Sequence, residues 1–272
     1  MILSNAPITF DSNFKLRKVK QIMKQKSILK FIAGITAFIL IFFLLILYNG
    51  FMGNPLSAKL ADNKIKAYVN KTYPDLDLTL SETKYNFTDS SYYSKAQSNT
   101  SPDTTFMISY GRGRITDDYS YEVANCFTTY RRLSDAFTKD VEGILSQEFP
   151  YKTTIVLADY GKDEFDLNKL KLDMPYDITT PPLPASLCVY CTSKELTYEV
   201  LGERLLQLHA IMEKHKIPIK TYSLALEADE ADEKPSNHRV EVIDFPADKI
   251  NTANLTEELK KHQSAWEDSH KK

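Results

Sequence analysis

Three absences narrow the reading before any motif does. Only three cysteines occur, Cys126, Cys188 and Cys191. That is too few for a fold built on disulfides. An odd number also leaves at least one thiol unpaired in a monomer, so the core must come from apolar packing. The strings that name a reaction are missing as well: there is no HExxH, no nucleophilic-serine elbow, no phosphate loop and no dinucleotide fingerprint. Gly111–Arg112–Gly113 marks a turn rather than a phosphate cradle. Finally, the bulk of the chain lacks excess positive charge. Residues 1–30 carry Lys15, Arg17, Lys18, Lys20, Lys24, Lys26 and Lys30 against Asp11 alone, a net of +6. With −2 overall, the remainder carries −8. A mildly acidic region of this kind excludes nucleic acid as a partner, because a phosphate backbone needs a basic face.

What is present is size and one long apolar run. A chain of 272 residues with 43% hydrophobic content supports one large domain or two small ones. Phe31–Tyr48 is uncharged, with Thr36 its one polar residue, and the uncharged stretch extends through Met52. As a helix it reaches roughly 27–33 Å, the thickness of a bilayer core. Ile, Leu and Phe occupy every side of it, where a soluble helix shows a polar stripe. No second run of this length follows. A cleaved signal peptide fits less well, because Leu56 stands where a site ending at Ala58 needs a small residue, and no cysteine follows to take a lipid. The run reads as a transmembrane helix over 31–52.

Seven basic residues precede the run; Lys59, Lys64, Lys66 and Lys71 follow it. The excess predicts a cytoplasmic N-terminus and a C-terminal domain outside, between membrane and wall in a Gram-positive cell. Met23, eight residues before the run, offers a second start. Starting there would weaken the charge bias.

The rest patterns as α+β, with antiparallel sheets packed on helices. Leu56, Leu60, Ala61, Ile65, Tyr68, Val69 and Tyr73 recur at helical spacing between Pro55 and Pro74. Strands follow around Leu76–Leu80, Thr83–Phe87, Tyr92–Tyr93 and Phe106–Tyr110, then a helix from Val123 to Leu145. Further on come strands at Thr153–Tyr160 and Leu187–Cys191. A helix to Lys216 follows, with Thr192 and Glu195 at capping-box spacing, and then strands at Tyr222–Leu226 and Val240–Phe245. The strand–helix–strand unit with a further hairpin strand resembles a ferredoxin-like half. The segments expected are a basic 1–30, the span 31–52, subdomains 53–150 and 151–250, and a polar helical tail 251–272 with Leu255, Leu259 and Trp266 as docking points.

Few residues invite a chemical reading. Cys188 and Cys191 have the spacing of a redox pair, but they fall within a strand, where side chains three apart point to opposite faces. They read first as small core residues. A zinc site would need two more ligands, and none stands at matching spacing. His209 and His215, six apart on one helix, face different ways. The acidic run Glu227, Asp229, Glu230, Asp232 and Glu233 lacks the glycine of a calcium loop and reads as a solvated hairpin tip. Tyr85, Tyr92, Tyr93, Tyr110, Tyr119 and Tyr121 cluster around the first sheet. Such a face can bind glycan or peptide, though more often it is core and rim. Cys188, Cys191, Tyr92 and Tyr93 are the candidate site residues; no catalytic, cofactor or metal residue is identified.

Several short strings carry a family resemblance: Gly53–Asn54–Pro55–Leu56–Ser57, Tyr73–Pro74, Tyr85–Asn86–Phe87, Asp103–Thr104–Thr105–Phe106, Met174–Pro175–Tyr176–Asp177 and Leu183–Pro184–Ala185. In these the chain resembles the YfjL-like family, membrane-anchored proteins of Gram-positive, Bacillus-type bacteria, over roughly residues 30–250. The resemblance implies a tethered, two-part outer region and adds no activity. The function expected is an extracytoplasmic binding or sensing module, with membrane lipid as one partner and a protein or envelope component as another. The alternatives are a thiol-redox enzyme using Cys188 and Cys191, and an accessory subunit of another membrane protein.

Overall fold

The computed structural model describes residues 12–161, 169–228, 239–250 and 253–270, with side chains from Leu29 onward. The basic residues before Leu29, Met23 and most of the acidic run after Glu227 lie outside the described side chains. The fold is α+β: one long apolar helix, then two sheets packed with helices.

Helix α1 (Ser12–Met52) continues through the apolar run. Thr36 does not interrupt it, because its hydroxyl donates to the Ile32 carbonyl at 3.0 Å. Every side chain from Leu29 to Met52 is exposed. Gly53 ends the helix at φ +73°, with its N–H on the Asn49 carbonyl, a left-handed conformation that favours glycine. Asn54 then starts α2 (Pro55–Thr72): its Oδ1 accepts from the Leu56 N–H at 2.8 Å, and Pro55 takes the first helical position. Helix α2 buries Ala61, Ile65 and Val69, a single stripe.

The first sheet runs β1 (Leu78–Leu80), β3 (Ser91–Ser98), β4 (Thr105–Gly111), β5 (Arg114–Asp117), and β2 (Lys84–Asn86) also pairs with β3. Strand β5 was not anticipated. Arg112 and Gly113 both take positive φ, 51° and 78°, and this two-residue turn returns the chain antiparallel.

The expected helix from Val123 is interrupted. Ser120–Ala124 forms a π turn, Cys126 sits at φ +54°, and α3 proper is Phe127–Glu148. The Thr128 hydroxyl lies between the Asp103 and Glu122 carbonyls and shares its one proton with them, which holds the break in place.

The second sheet has the order β6 (Thr153–Tyr160), β7 (Ala185–Thr192), β8 (Ile219–Glu227), β9 (Arg239–Pro246). It is mixed rather than antiparallel throughout, because β7 and β8 run parallel across the connecting helix α4 (Tyr198–Lys214). Thr197, not Thr192, caps α4: its side chain accepts from the Val200 N–H. Thr192 is the last residue of β7, paired with Glu227, with its amide on the Lys152 carbonyl, and so is held in the sheet. Helix α5 (Leu255–His270) docks through Leu255, Leu259 and Gln263; Trp266 instead stacks on His270. One apolar core joins α3, α4 and α5 to a single face of the sheet, and includes Phe137, Tyr160, Leu187, Leu205, Leu224 and Leu259.

By density of contacts the chain falls into two units, Met1–Val69 with Glu82–Ser94 and Ser109–Ile115, and Asn70–Ser81 with Lys95–Ile108 and Thr116–Lys272.

Candidate functional site

Helices cover one face of the second sheet. On the other, register places Ile155, Tyr190, Ala225 and Glu241 in one row and Leu157, Cys188 and Ser223 in the next. Ile155 and Leu157 are 47% and 51% exposed. Apolar strand residues at that exposure, side by side on one face, are the strongest candidate here for a binding surface. Ala225 is nonetheless buried. Its neighbour Tyr190 lies under the Arg239 guanidinium at 5.8 Å, and Arg239 pairs with Glu241 at 2.8 Å. The face therefore carries an apolar half toward β6 and a charged half toward β9.

Both edges of this sheet are engaged by side chains from the helices. On β6 the Thr138 hydroxyl donates to the Ala158 carbonyl and accepts from its amide, while the Tyr130 hydroxyl lies between Asp159 Oδ1 at 2.8 Å and the Tyr160 carbonyl at 3.0 Å. On β9 the Ile243 amide donates to Gln263 Oε1 at 3.1 Å, and the Ile243 carbonyl accepts from His262 Nε2 at 2.9 Å. These groups occupy part of the outward backbone of each edge strand, at Ala158 on β6 and Ile243 on β9, and so disfavour an added strand there. The exposed face is the more open approach for a partner.

Cys188 and Cys191 are separated by the sheet. Cys191 is fully buried in the helix-covered core, and its Sγ accepts from Arg204 Nη1 at 3.1 Å. Arg204 also donates to the Thr192 carbonyl and the Ser193 hydroxyl, and stacks over the Tyr151 ring at 4.0 Å. Cys188 lies half-buried on the other face. All three cysteines are free. Burial pushes the Cys188 thiol up, and the Asp244 and Glu241 carboxylates add to this. Burial also raises Cys191, against the opposing pull of Arg204. A redox pair needs one accessible thiolate facing a second sulfur, and this arrangement supplies neither.

Tyr92 and Tyr93 belong to the first unit. The Tyr92 hydroxyl accepts from the Asn54 N–H at 2.8 Å and donates to the Asn54 carbonyl at 3.2 Å, and its ring packs on Tyr85. It braces the junction between α1 and α2. Tyr93 is half-buried and pairs with Lys84 across β2. Cys188 and Cys191 belong to the second unit.

One constellation escaped the sequence reading. The Asp103 carboxylate is 1% exposed and takes a two-point contact from Arg132, Nε to Oδ1 at 2.6 Å and Nη2 to Oδ2 at 2.8 Å. The Thr129 hydroxyl and the Asp173 amide complete its shell, and Arg132 reaches on to the Met174 carbonyl at 2.7 Å. Burial alone would push the Asp103 carboxyl up. The bonds from Arg132 and Thr129 outweigh it and hold the group below its ordinary range. Two of the strings that carried the resemblance, at Asp103–Phe106 and Met174–Asp177, are thus clasped by one arginine. With every oxygen occupied, the node is a brace.

Described histidines are likewise engaged. His209 bonds the Tyr222 hydroxyl and His215 bonds Glu148. Among the described residues no group of three His, Cys, Asp or Glu side chains is placed to hold a metal.

Comparison with known families gives two matches in tandem. Residues 28–148 match the YfjL-like N-terminal domain, and residues 136–260 match the YfjL-like C-terminal domain. No curated protein and no solved structure matches the chain. The first match takes in the apolar run of α1, and the two together span residues 28–260: the chain belongs to the YfjL-like family.

Proposed function

We propose that this protein is a single-span, membrane-anchored binding module. Its N-terminus is cytoplasmic and its folded region, with subdomains over 53–150 and 151–250, lies outside the cell membrane. There it recognises a protein or envelope component through the helix-free face of the second sheet. The anchor is supported by α1, one helix near the N-terminus long and apolar enough to cross a membrane, whose Leu29–Met52 side chains are all exposed. The orientation rests on the seven cations before the run against four after it.

The observation that carries the binding reading is the pair Ile155 and Leu157, about half exposed on a sheet whose edges the helices engage. Leaving them in water forgoes on the order of 1–2 kcal/mol of burial each. A partner that covers them recovers it.

Two measurements test this. A membrane-impermeant lysine reagent on intact cells should modify the folded region and spare the N-terminal lysines; modification only after the cells are broken open overturns the orientation. A photo-crosslinking residue at position 157 should capture a defined partner in cells, and one at the covered position Leu187 should not. Equal capture from both positions, or from neither, removes the sheet face as the site.

A further inference from the structure

We infer that α2 lies in the headgroup layer of the membrane, with its outer face docked onto anionic lipid. The inference rests on the anchoring proposed above and names a second contact with the same bilayer.

The buried stripe of α2 is Ala61, Ile65 and Val69. At 100° per residue, Leu56 and Leu60 fall on the opposite side. They are 80% and 51% exposed. Lys59 flanks them on one side and Lys64 on the other, both exposed, while Lys66 is also exposed but held by the Asp62 carboxylate at 2.7 Å. A pair of exposed leucines in the first two turns, bordered by lysines, is the pattern of a helix end lying in a membrane interface, where the aliphatic stems cover apolar surface and the ammonium groups meet phosphate.

Position supports the same reading. The uncharged run ends at Met52, and α2 begins three residues later. The turn between them is fixed: Gly53 sits against the Tyr85 ring and Asn54 is held by Tyr92. Phe87, 60% exposed, packs on Phe51 at 5.9 Å and extends the apolar surface beside the end of α1.

Charge is divided accordingly. Beyond residue 30, the first unit holds Lys59, Lys64, Lys66, Lys84, Arg112 and Arg114 against Asp62, Glu82 and Asp89, a net of +3. The second unit carries −11. The part of the chain nearest the span is therefore attracted to an anionic surface and the remainder is repelled from it.

The test uses the full chain in lipid nanodiscs of phosphatidylcholine alone or with phosphatidylglycerol. Trp266 is the chain's one tryptophan, so Trp266→Phe gives a dark background for a reporter at Leu60→Trp or, separately, Phe38→Trp. With brominated lipid, both reporters should be quenched in the anionic discs. Replacing Lys59 and Lys64 by Gln should lower the docked population at position 60 by roughly fivefold per charge removed and leave position 38 unchanged. Quenching at 38 but not at 60 overturns the interfacial helix and keeps the anchor. Absence of quenching at 38 overturns the anchor and this inference with it. A blue-shifted but unquenched reporter at 60 means that a protein surface covers α2, which also overturns the inference.

Discussion

The Thr138 hydroxyl closes a two-way exchange with the backbone of Ala158: it donates to the carbonyl at 2.7 Å and accepts from the amide at 3.1 Å. A helix side chain thereby stands where a fifth strand would pair. The same role falls to Gln263 and His262 at Ile243 on the far strand.

Thr138→Val keeps the shape and removes both bonds. It should cost about 1–3 kcal/mol, the penalty for leaving one amide and one carbonyl without partners. It should also promote self-association through β6. Urea melts and sedimentation at several concentrations check the two effects. A variant as stable and as monomeric as the parent would show that the edge needs no cap.

The pairing of Asp103 with Arg132 should make stability fall in acid. Asp103 titrates below its ordinary value of 3.8 in the folded state. Its contribution is therefore fully present above that value and is lost as pH falls through the lower folded one. At neutral pH Asp103→Asn should cost about 1–3 kcal/mol, because the buried carboxylate's charge-assisted bonds are weakened and Arg132, a third exposed, loses its counter-charge. Below the folded value the gap to the parent should close. Denaturant midpoints at pH 7 and at acid pH measure this, and a gap that does not change with pH contradicts the assignment.

Gly53→Ala should loosen the start of the folded region. The residue sits at φ +73°, and an added Cβ would lie 2.6 Å from a Tyr85 ring carbon. The left-handed backbone alone costs about 1–2 kcal/mol for a residue with a side chain. Combining it with Tyr85→Ala should recover the part due to the clash. If the double variant is no better than the sum of the singles, crowding is not the cause.

Thiol counting decides the fate of the cysteine pair. The native chain should show three free thiols, Cys191 reacting only on unfolding and Cys188 slowly. Cys191→Ser should cost less than Cys191→Ala, which should lose about 1 kcal/mol, because a serine oxygen can still accept from Arg204. A reducible bridge between Cys188 and Cys191 would sink the opposite-face arrangement.

Periodic apolar residues made the covered faces of α3 and α4 legible in the sequence; on α2 the same periodicity also drew in Leu56 and Leu60, which the structure leaves exposed on the opposite side. The long-range polar bonds were not legible. Nothing local marks Arg132 as the partner of Asp103, 29 positions away. Thr138 looks like any polar residue on a solvated helix face, and Gln263 like part of a polar tail. The two threonines before α4 differ only in what the sheet does with them: Thr192 is spent in β7 and Thr197 is free to cap. For the candidate site, alternation along β7 correctly put Cys188 and Cys191 on opposite faces. That the face carrying Cys188 lacks a helix is a property of where α3, α4 and α5 dock, which no single strand encodes.

The clasp of Tyr92 on Asn54 also fixes a load path. Tension drawn along α1 reaches Asn54 first, and there the two bonds from the phenol pass it sideways into β3. Within the same unit Tyr92 is paired with Tyr85 of β2, so the pull is shared by two strands as well as by α2. Replacing one phenol hydroxyl, as in Tyr92→Phe, would remove both of these bonds and leave the Gly53–Tyr85 contact as the remaining link at the turn.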